Sequence, residues 1–332
     1  MKTLVTGGAG FIGSHLVDRL LDDGHHVTVI DNYSTGRPEN LDHHSGDPNL
    51  NVIEADISDG SQLVDHFERI DWVFHLAALA DIVPSIEHPL AYHRANVDGT
   101  IEVLEASRQA GVKRFTYAAS ASCYGDPDVF PTPEHSSPRP QYPYALTKWI
   151  GEQQVLHWGQ VYGLPVISLR FFNAYGPRSR TSGTYGAVFG VFLAQKLAGE
   201  PFTVIGDGEQ TRDFTFVSDI VDACVKAAKS EVQDMAINIG SGGTYSVNRL
   251  TELLGGAVIH IPERPGEPKS TFADTTLARV RLGWEAKVSF EDGVAAVVDE
   301  IDYWRNAPVW TPDSIALASS GWFEHLDRQV NR

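Results

Sequence analysis

The stretch that decides the fold is "TLVTGGAGFIGSHL", Thr3 to Leu16. An apolar run of strand character, "KTLVT" (2–6), leads into Gly7, Gly10 and Gly13, a G-x-x-G-x-x-G spacing. A run of helix character, "FIGSHLVDRLLDDG", then starts at Phe11 and closes at Gly24. Gly7 permits a tight turn, Gly10 lets backbone amides approach a pyrophosphate, and Gly13 allows close helix–strand packing. The helix start faces the phosphates with unpaired N–H groups and the positive end of its dipole. A glycine turn alone often serves geometry only. Here the second strand-like run, "HVTVI" (26–30), is followed by Asp31. A carboxylate at that point accepts hydrogen bonds from an adenosine ribose and repels a 2′-phosphate, which favours NAD over NADP. Asp56, after the third run "NVIEA" (51–55), suits the adenine edge.

The same rhythm continues through "WVFHLAA" (72–78), "RFTYAAS" (114–120) and "PVISLR" (165–170), with helix-like stretches between, such as "NVDGTIEVLEASRQAG" closing at Gly111. Such alternation predicts an α/β fold, a Rossmann-type doubly wound parallel sheet covered by helices on both faces. After about residue 175 the rhythm breaks at "YGPRSRTSGTYG" and "IPERPGEP". The expected organisation is an NAD-binding domain over 1–175, with segments returning to it at about 213–245. A smaller mixed α/β substrate lobe, discontinuous, occupies 176–305. The tail, 306–332, carries Trp310, Trp322 and Phe323 on a short amphipathic helix. That helix caps a hydrophobic surface or, alternatively, makes a subunit contact.

Composition bounds the partners. The 332 residues are 42% hydrophobic and 21% charged, enough for a sizeable core, and the formal charge is −17. A field of that sign repels nucleic acid and anionic membranes, although a few arginines override it locally for a small anionic ligand. Two cysteines, Cys123 and Cys224, are too few for a disulfide framework. No apolar run approaches the ~20 residues of a membrane span. The ordered pattern begins at Lys2, leaving no room for a leader. A cytoplasmic protein is expected. The thirteen histidines, His25–His26 and His43–His44 among them, show no metal-ligand spacing and read as solvated loop residues; no metal is expected.

For chemistry, "YPYALTKWIGEQ" places Tyr144 and Lys148 four apart, on one helix face. A phenol is a poor base near neutrality, with a reference pKa of about 10. A neighbouring ammonium and a positively charged nicotinamide both favour the phenolate. Ser120, 24 residues before Tyr144, ends the fifth strand-like run inside "AASASCYG" (118–125), a stretch with hydroxyls and a thiol but no carboxylate or histidine.

These motifs together resemble the extended short-chain dehydrogenases/reductases, in the nucleotide-sugar epimerase/dehydratase family. The resemblance rests on "TGGAGFIG", "DN" (31–32), "HLAA" (75–78), "NVDGT" (96–100), "SASCYG" (120–125 with the preceding alanine), "YALTK" (144–148), "RFFNAYGP" (170–177), "GDGEQTRDF" (206–214) and "RPGEP" (264–268). It spans roughly residues 1 to 305. It implies Ser120, Tyr144 and Lys148 as catalytic residues, with Lys148 also on the nicotinamide ribose. It implies a cofactor site from Gly7, Gly10, Phe11, Ile12, Gly13, Asp31, Asn32, Ser34, Thr35, Gly36, Asp56, Ile57, Leu76, Ala77, Ala78, Asn96 and Phe171, with NAD held tightly and regenerated each turnover.

On the substrate side it implies Ser120, Ser122, Asn173, Arg212, Arg264 and Thr271. The two guanidinium forks suit a diphosphate. Thr271 matches a position where a bulky tyrosine narrows the sugar pocket of relatives restricted to unacetylated hexoses. Dehydratases of the family place carboxylates after the serine, and decarboxylases usually keep a glutamate; here Ala121 and Ser122 stand there. Elimination needs such a group on the neighbouring carbon. The resemblance therefore implies a 4-epimerase of a UDP-hexose or UDP-N-acetylhexosamine, working through a transient 4-keto sugar, and a homodimer. Alternatives are a UDP-glucuronate 4-epimerase, a GDP- or CDP-sugar epimerase, a dehydratase, or a non-catalytic NAD sensor. Gly190, where many relatives have proline, and Ala80, in place of a cofactor-facing lysine, depart from the pattern. Cys123 reads as packing.

Overall fold

The computed structural model describes residues 1–179, 188–264 and 267–330. Residues 180–186 of "YGPRSRTSGTYG" with the following Ala187, and Pro265 and Gly266 of "RPGEP", lie outside the described residues. The strands are β1 (Lys2–Thr6), β2 (His26–Asp31), β3 (Leu50–Glu54), β4 (Trp72–His75), β5 (Arg114–Ser120), β6 (Val166–Phe171), β7 (Ala174–Tyr175), β8 (Phe202–Ile205), β9 (Thr211–Arg212), β10 (Thr215–Phe216), β11 (Ala236–Ile239), β12 (Tyr245–Ser246) and β13 (Val258–Ile261). Seven form one sheet in the order β11-β6-β5-β4-β1-β2-β3. Every pairing within it is parallel. The chain leaves β1 toward β2 and β3, then returns past it to β4. That reversal of strand order opens a crevice at the carboxyl ends of the strands.

Because a strand alternates its faces, neighbouring residues feed two different cores. On β1, Val5 joins Leu16, Val17 and Leu20 of the Phe11–Asp22 helix and Ile220 and Cys224 of the Val217–Lys229 helix. Leu4 joins Val103 and Leu104 of the Gly99–Ala110 helix and Val155 of the Pro143–Tyr162 helix on the opposite face. Both faces are covered, which is why the strands read as near-continuous apolar runs. β4 is shorter than the apolar run that announced it. Leu76, Ala77 and Ala78 leave the sheet, and Leu76 and Ala78 form the wall of the crevice.

The later part of the chain has its own aromatic core. Tyr175 stacks on Phe189 with centroids 4.6 Å apart, and Tyr245 on Phe290 at 4.4 Å. β8 pairs with β13, and β9 with β12. Meanwhile β10 pairs with β7, and β11 returns to extend the main sheet beside β6. The tail is two helices where one was expected, Pro312–Ala318 and Ser320–Val330. The break falls at Ser319, where the first helix ends. No helix of the described residues is long and apolar enough to cross a membrane.

Candidate active site

The glycine turn is built by close approach. Gly7 adopts φ +72°, and a Cβ on it would lie 2.8 Å from the Ala77 backbone nitrogen. A Cβ on Gly13 would overlap the Gly7 carbonyl oxygen. Gly10 caps the Phe11–Asp22 helix with extended backbone and no side-chain cap, and donates its N–H to Gly7 O at 3.1 Å. No Gly10 side chain is there to cap the first-turn N–H groups, which are left for other partners. Ala9, between them, is pinned from both sides. Its N–H donates to Asp31 Oδ2 at 3.0 Å, while its carbonyl accepts from Arg37 N–H (2.9 Å) and Asn40 Nδ2 (2.8 Å).

Asp31 ends β2 buried, and burial pushes its carboxyl above the usual range, against hydrogen bonds from the Tyr33 and Ala9 amides. Its two oxygens carry more lone pairs than those two amides use. Gly36 lies against this carboxylate, so that a Cβ there would approach Oδ1 to 2.7 Å. Asn32 donates to Asp56 Oδ2 at 3.1 Å, and Ser34 N–H donates to Asn32 Oδ1 at 3.0 Å. Burial acts upward on Asp56, but hydrogen bonds from Ser58 and Asn32 hold its carboxyl below the usual range. Thr35 is half-buried beside Ser34, and Ile57 belongs to the core beneath. A turn of glycines against a helix start, with a carboxylate at the tip of the next strand, fits the pyrophosphate and ribose of an adenine dinucleotide.

Phe11, Ile12, Leu76 and Ala78 lead from that cradle into a cavity of about 530 Å³. Ser120, Ser122, Tyr144, Lys148 and Phe171 line it, as do Asn173, Arg212, Arg264 and Thr271. Residues separated by 260 positions in sequence thus meet around one space. Ala77 and Asn96 stand behind the wall. Asn96 sits in a π-helical turn, Arg94–Asp98, and holds the Leu79 backbone at both ends, accepting at 2.8 Å and donating at 3.0 Å. Its remaining N–H reaches Thr147 Oγ1 at 3.0 Å. Ala80 lines the cavity, whereas Gly190 lies inside the Val188–Ala198 helix.

Tyr144 and Lys148 share the first turns of the Pro143–Tyr162 helix, which Pro143 opens. Burial pushes the Tyr144 phenol up, and a hydrogen bond with Ser120 acts the other way. Burial likewise pulls the Lys148 ammonium down to about 7, opposed by the charge of Glu152. Lys148 Nζ lies 4.3 Å from the centroid of the Tyr117 ring. A charge-bearing network underlies the pair. Glu152 accepts from Arg170 through both oxygens (2.9 and 2.6 Å) and from Ser168 Oγ at 3.0 Å. Arg170 also donates to the Tyr124 hydroxyl at 2.7 Å, which donates to Asn238 Oδ1 at 2.6 Å. Ser120 Oγ and Ser122 Oγ are 2.8 Å apart, and Ser122 N–H donates to Ser120 Oγ at 3.2 Å.

Across the cavity, Arg212 pairs with Glu267 at 2.9 Å and Arg264 approaches the same carboxylate at 4.0 Å. The Thr271 hydroxyl accepts from Asp213 N–H at 3.1 Å and donates to Asn173 Oδ1 at 2.6 Å. That fixes the Asn173 amide with its NH₂ end away from Thr271. The sequence reading missed Glu267, although it stands within the quoted "RPGEP". It also missed Gln141, Tyr142, Gln210 and Trp322, all of which line the cavity. For the last of these, periodicity signals burial but not that it faces the cavity.

Two further readings change. His25 is buried at 7% exposure and packs on Trp72, 5.3 Å between centroids, instead of standing in solvent. His43 and His44 both hydrogen-bond Asp18 Oδ1, at 2.9 and 2.8 Å. These three are within reach of a shared ion, but Arg178 pairs with the other oxygen of Asp18 at 2.8 Å, and its charge opposes a cation there. Burial pushes the Cys123 thiol up to about 12, as packing would.

Comparison with known proteins places this geometry. The NAD dependent epimerase/dehydratase family matches residues 3–240. A UDP-glucose 4-epimerase of Mycolicibacterium smegmatis is 38% identical over 316 residues, covering 92% of this chain and 99% of that protein. Among solved structures, the UDP-glucose 4-epimerase of Thermotoga maritima with UDP-glucose superposes with a TM-score of 0.86 at 37% identity, covering 91% of this chain and 99% of that one. A UDP-N-acetylglucosamine 4-epimerase of Methanobrevibacter ruminantium, in complex with UDP-N-acetylmuramic acid, gives a TM-score of 0.86 at 34% identity, with 91% and 98% covered.

Proposed function

The chain belongs to the NAD-dependent epimerase/dehydratase family, and from that premise we propose that it is a nucleotide-sugar 4-epimerase acting on a UDP-hexose or UDP-N-acetylhexosamine. One observation carries the reading. Ser120, Tyr144 and Lys148 converge on the cavity, and the two positions after Ser120 are Ala121 and Ser122. The site holds what oxidation and reduction at a carbinol require. It lacks, at those positions, the carboxylate that removes a proton from the neighbouring carbon.

NAD, once bound, supplies the hydride acceptor and donor that the side chains lack. The chain's own residues handle binding, orientation and the proton. Ser120 and Ser122 place hydroxyls together at the end of β5 and orient the reacting oxygen. Tyr144 receives the proton of the sugar 4-hydroxyl and gives it back after the ketone has turned over. Because burial disfavours the phenolate, Tyr144 needs a positive neighbour, and Lys148 is the side chain one helical turn away. Arg212 and Arg264 take the diphosphate in exchange for Glu267, and Asn173 directs its NH₂ at the same group. Thr271 keeps the hexose pocket wide enough for an acetamido group, which supports N-acetylhexosamines alongside hexoses. A cytoplasmic homodimer is part of the same proposal.

The test is direct. The purified protein, without added NAD, is incubated with UDP-glucose, UDP-N-acetylglucosamine, UDP-glucuronate and GDP-mannose, and the products are separated. The 4-epimer is expected; a dehydrated keto sugar or released carbon dioxide overturns the proposal. Tyr144→Phe is expected to lose at least about 100-fold in turnover with the cofactor still bound. Unchanged turnover would remove Tyr144 from its role.

A further inference from the structure

The tail does not end on the lobe that it leaves. Ile315 of its first helix is buried in the aromatic core of the later part of the chain, and the Trp310 carbonyl accepts from Gln195 Nε2 at 2.8 Å. The second helix then reaches the dinucleotide domain, where Trp322 and Leu326 bury against Val83 of the Ile82–Glu87 helix. Trp322 is 2% exposed and lines the cavity. The guanidinium carbon of Arg264 lies 5.3 Å from the centroid of its ring, and the Tyr142 ring is 6.3 Å away. Relatives that are matched almost end to end leave unmatched a share of this chain about as long as this tail.

We propose that Trp322 is a positioning residue of the ligand site, holding Arg264 for the diphosphate of a nucleotide sugar. The inference rests on reading the cavity as that site. The chemistry divides cleanly. A guanidinium offers its face to an aromatic ring and its N–H donors in the plane, so stacking on Trp322 leaves the edge directed at an oxyanion. Without the ring, the long side chain regains rotamers that do not face the cavity, and Glu267 competes for the charge. Burial under the tail helix keeps the pair from water, where a cation–π contact is strongest. The tail is thereby part of the substrate site and joins it to both lobes.

The experiment measures UDP binding to the full-length, cofactor-loaded protein by calorimetry, for wild type, Trp322→Phe and Trp322→Leu. Phenylalanine keeps an aromatic face and leucine keeps only apolar bulk, so the two separate stacking from packing. The expected result is that Trp322→Phe binds UDP nearly as wild type does. Trp322→Leu is expected to bind on the order of 10-fold more weakly, with a melting temperature and NAD content matching Trp322→Phe. With UDP-sugar varied from below to well above KM, KM rises in the leucine variant and kcat holds. Equal UDP affinity in all three proteins overturns the role of Trp322 while the cavity reading stands. Wild type that fails to bind UDP overturns the cavity reading, and this proposal with it. A weakening shared equally by both variants assigns Trp322 to packing alone and also overturns it.

Discussion

Lys148 shows how burying a charge-bearing side chain weighs on the fold. An ordinary lysine holds its proton to about 10.4, whereas burial pulls this one down to about 7. Between those values the unfolded chain binds more protons than the folded one, so this group makes stability rise with pH. Below about 7 both states are charged and the full penalty is present. Lys148→Met is therefore expected to stabilise the cofactor-free protein most at pH 7. Its advantage over wild type should shrink by roughly 3 kcal/mol by pH 9.5, measured by denaturant melts at both values. A constant difference would show that the ammonium is not the source. Turnover is expected to fall in the same variant if Lys148 favours the Tyr144 phenolate as proposed, which the product assay reads.

At the scale of elements, the Pro143–Tyr162 helix and β6 are joined by Glu152 and Arg170, a bidentate pair exposed by only 1% and 7%. Breaking one partner of a buried pair leaves the other charge uncompensated, which costs about 3–5 kcal/mol. Glu152→Gln is expected to lower stability by that order in chemical denaturation. It also removes the negative charge that opposes burial at Lys148, so the lysine falls further below about 7 and the pH profile of turnover shifts to lower pH. A profile that does not move would uncouple the network from the site.

The elements were also the most legible part of the sequence. "KTLVT" and "RFTYAAS" coincide with β1 and β5, because parallel strands buried on both faces have no alternation to confuse. Gly24 and Gly111 close their helices with φ of 76° and 66°, conformations that glycine marks in advance. The tail was less legible. Ser319 is an ordinary residue at a helix break, and amphipathicity shows that Trp322 is buried without showing against what. His25 was misread for a similar reason: its neighbour Trp72 belongs to a different strand, and sequence spacing does not bring them together.

Over the whole molecule, the −17 charge and the arginines of the cavity act at different ranges. Screening confines the net field to about 8 Å at physiological ionic strength, so Arg212 and Arg264, which line the cavity, govern the local field there. Another contact ties the later part of the chain to its start. The Tyr303 hydroxyl donates to Asn40 Oδ1 at 2.9 Å, and Arg37 lies over its ring at 4.9 Å. Asn40 in turn holds the Ala9 carbonyl, so the brace runs from the later part of the chain to the glycine turn. Tyr303→Phe keeps the ring and removes the hydroxyl. It is expected to speed NAD release 2- to 10-fold, in line with one hydrogen bond, with the fold unchanged. Stopped-flow displacement of the bound dinucleotide checks it, and an unaltered rate would detach this brace from the cofactor.

That brace joins residues 263 positions apart. A ribosome making this chain must therefore let residue 303 clear the exit tunnel before Asn40, which holds the Ala9 carbonyl, gains its own brace. The glycine turn is thus made long before the residue that braces it from outside.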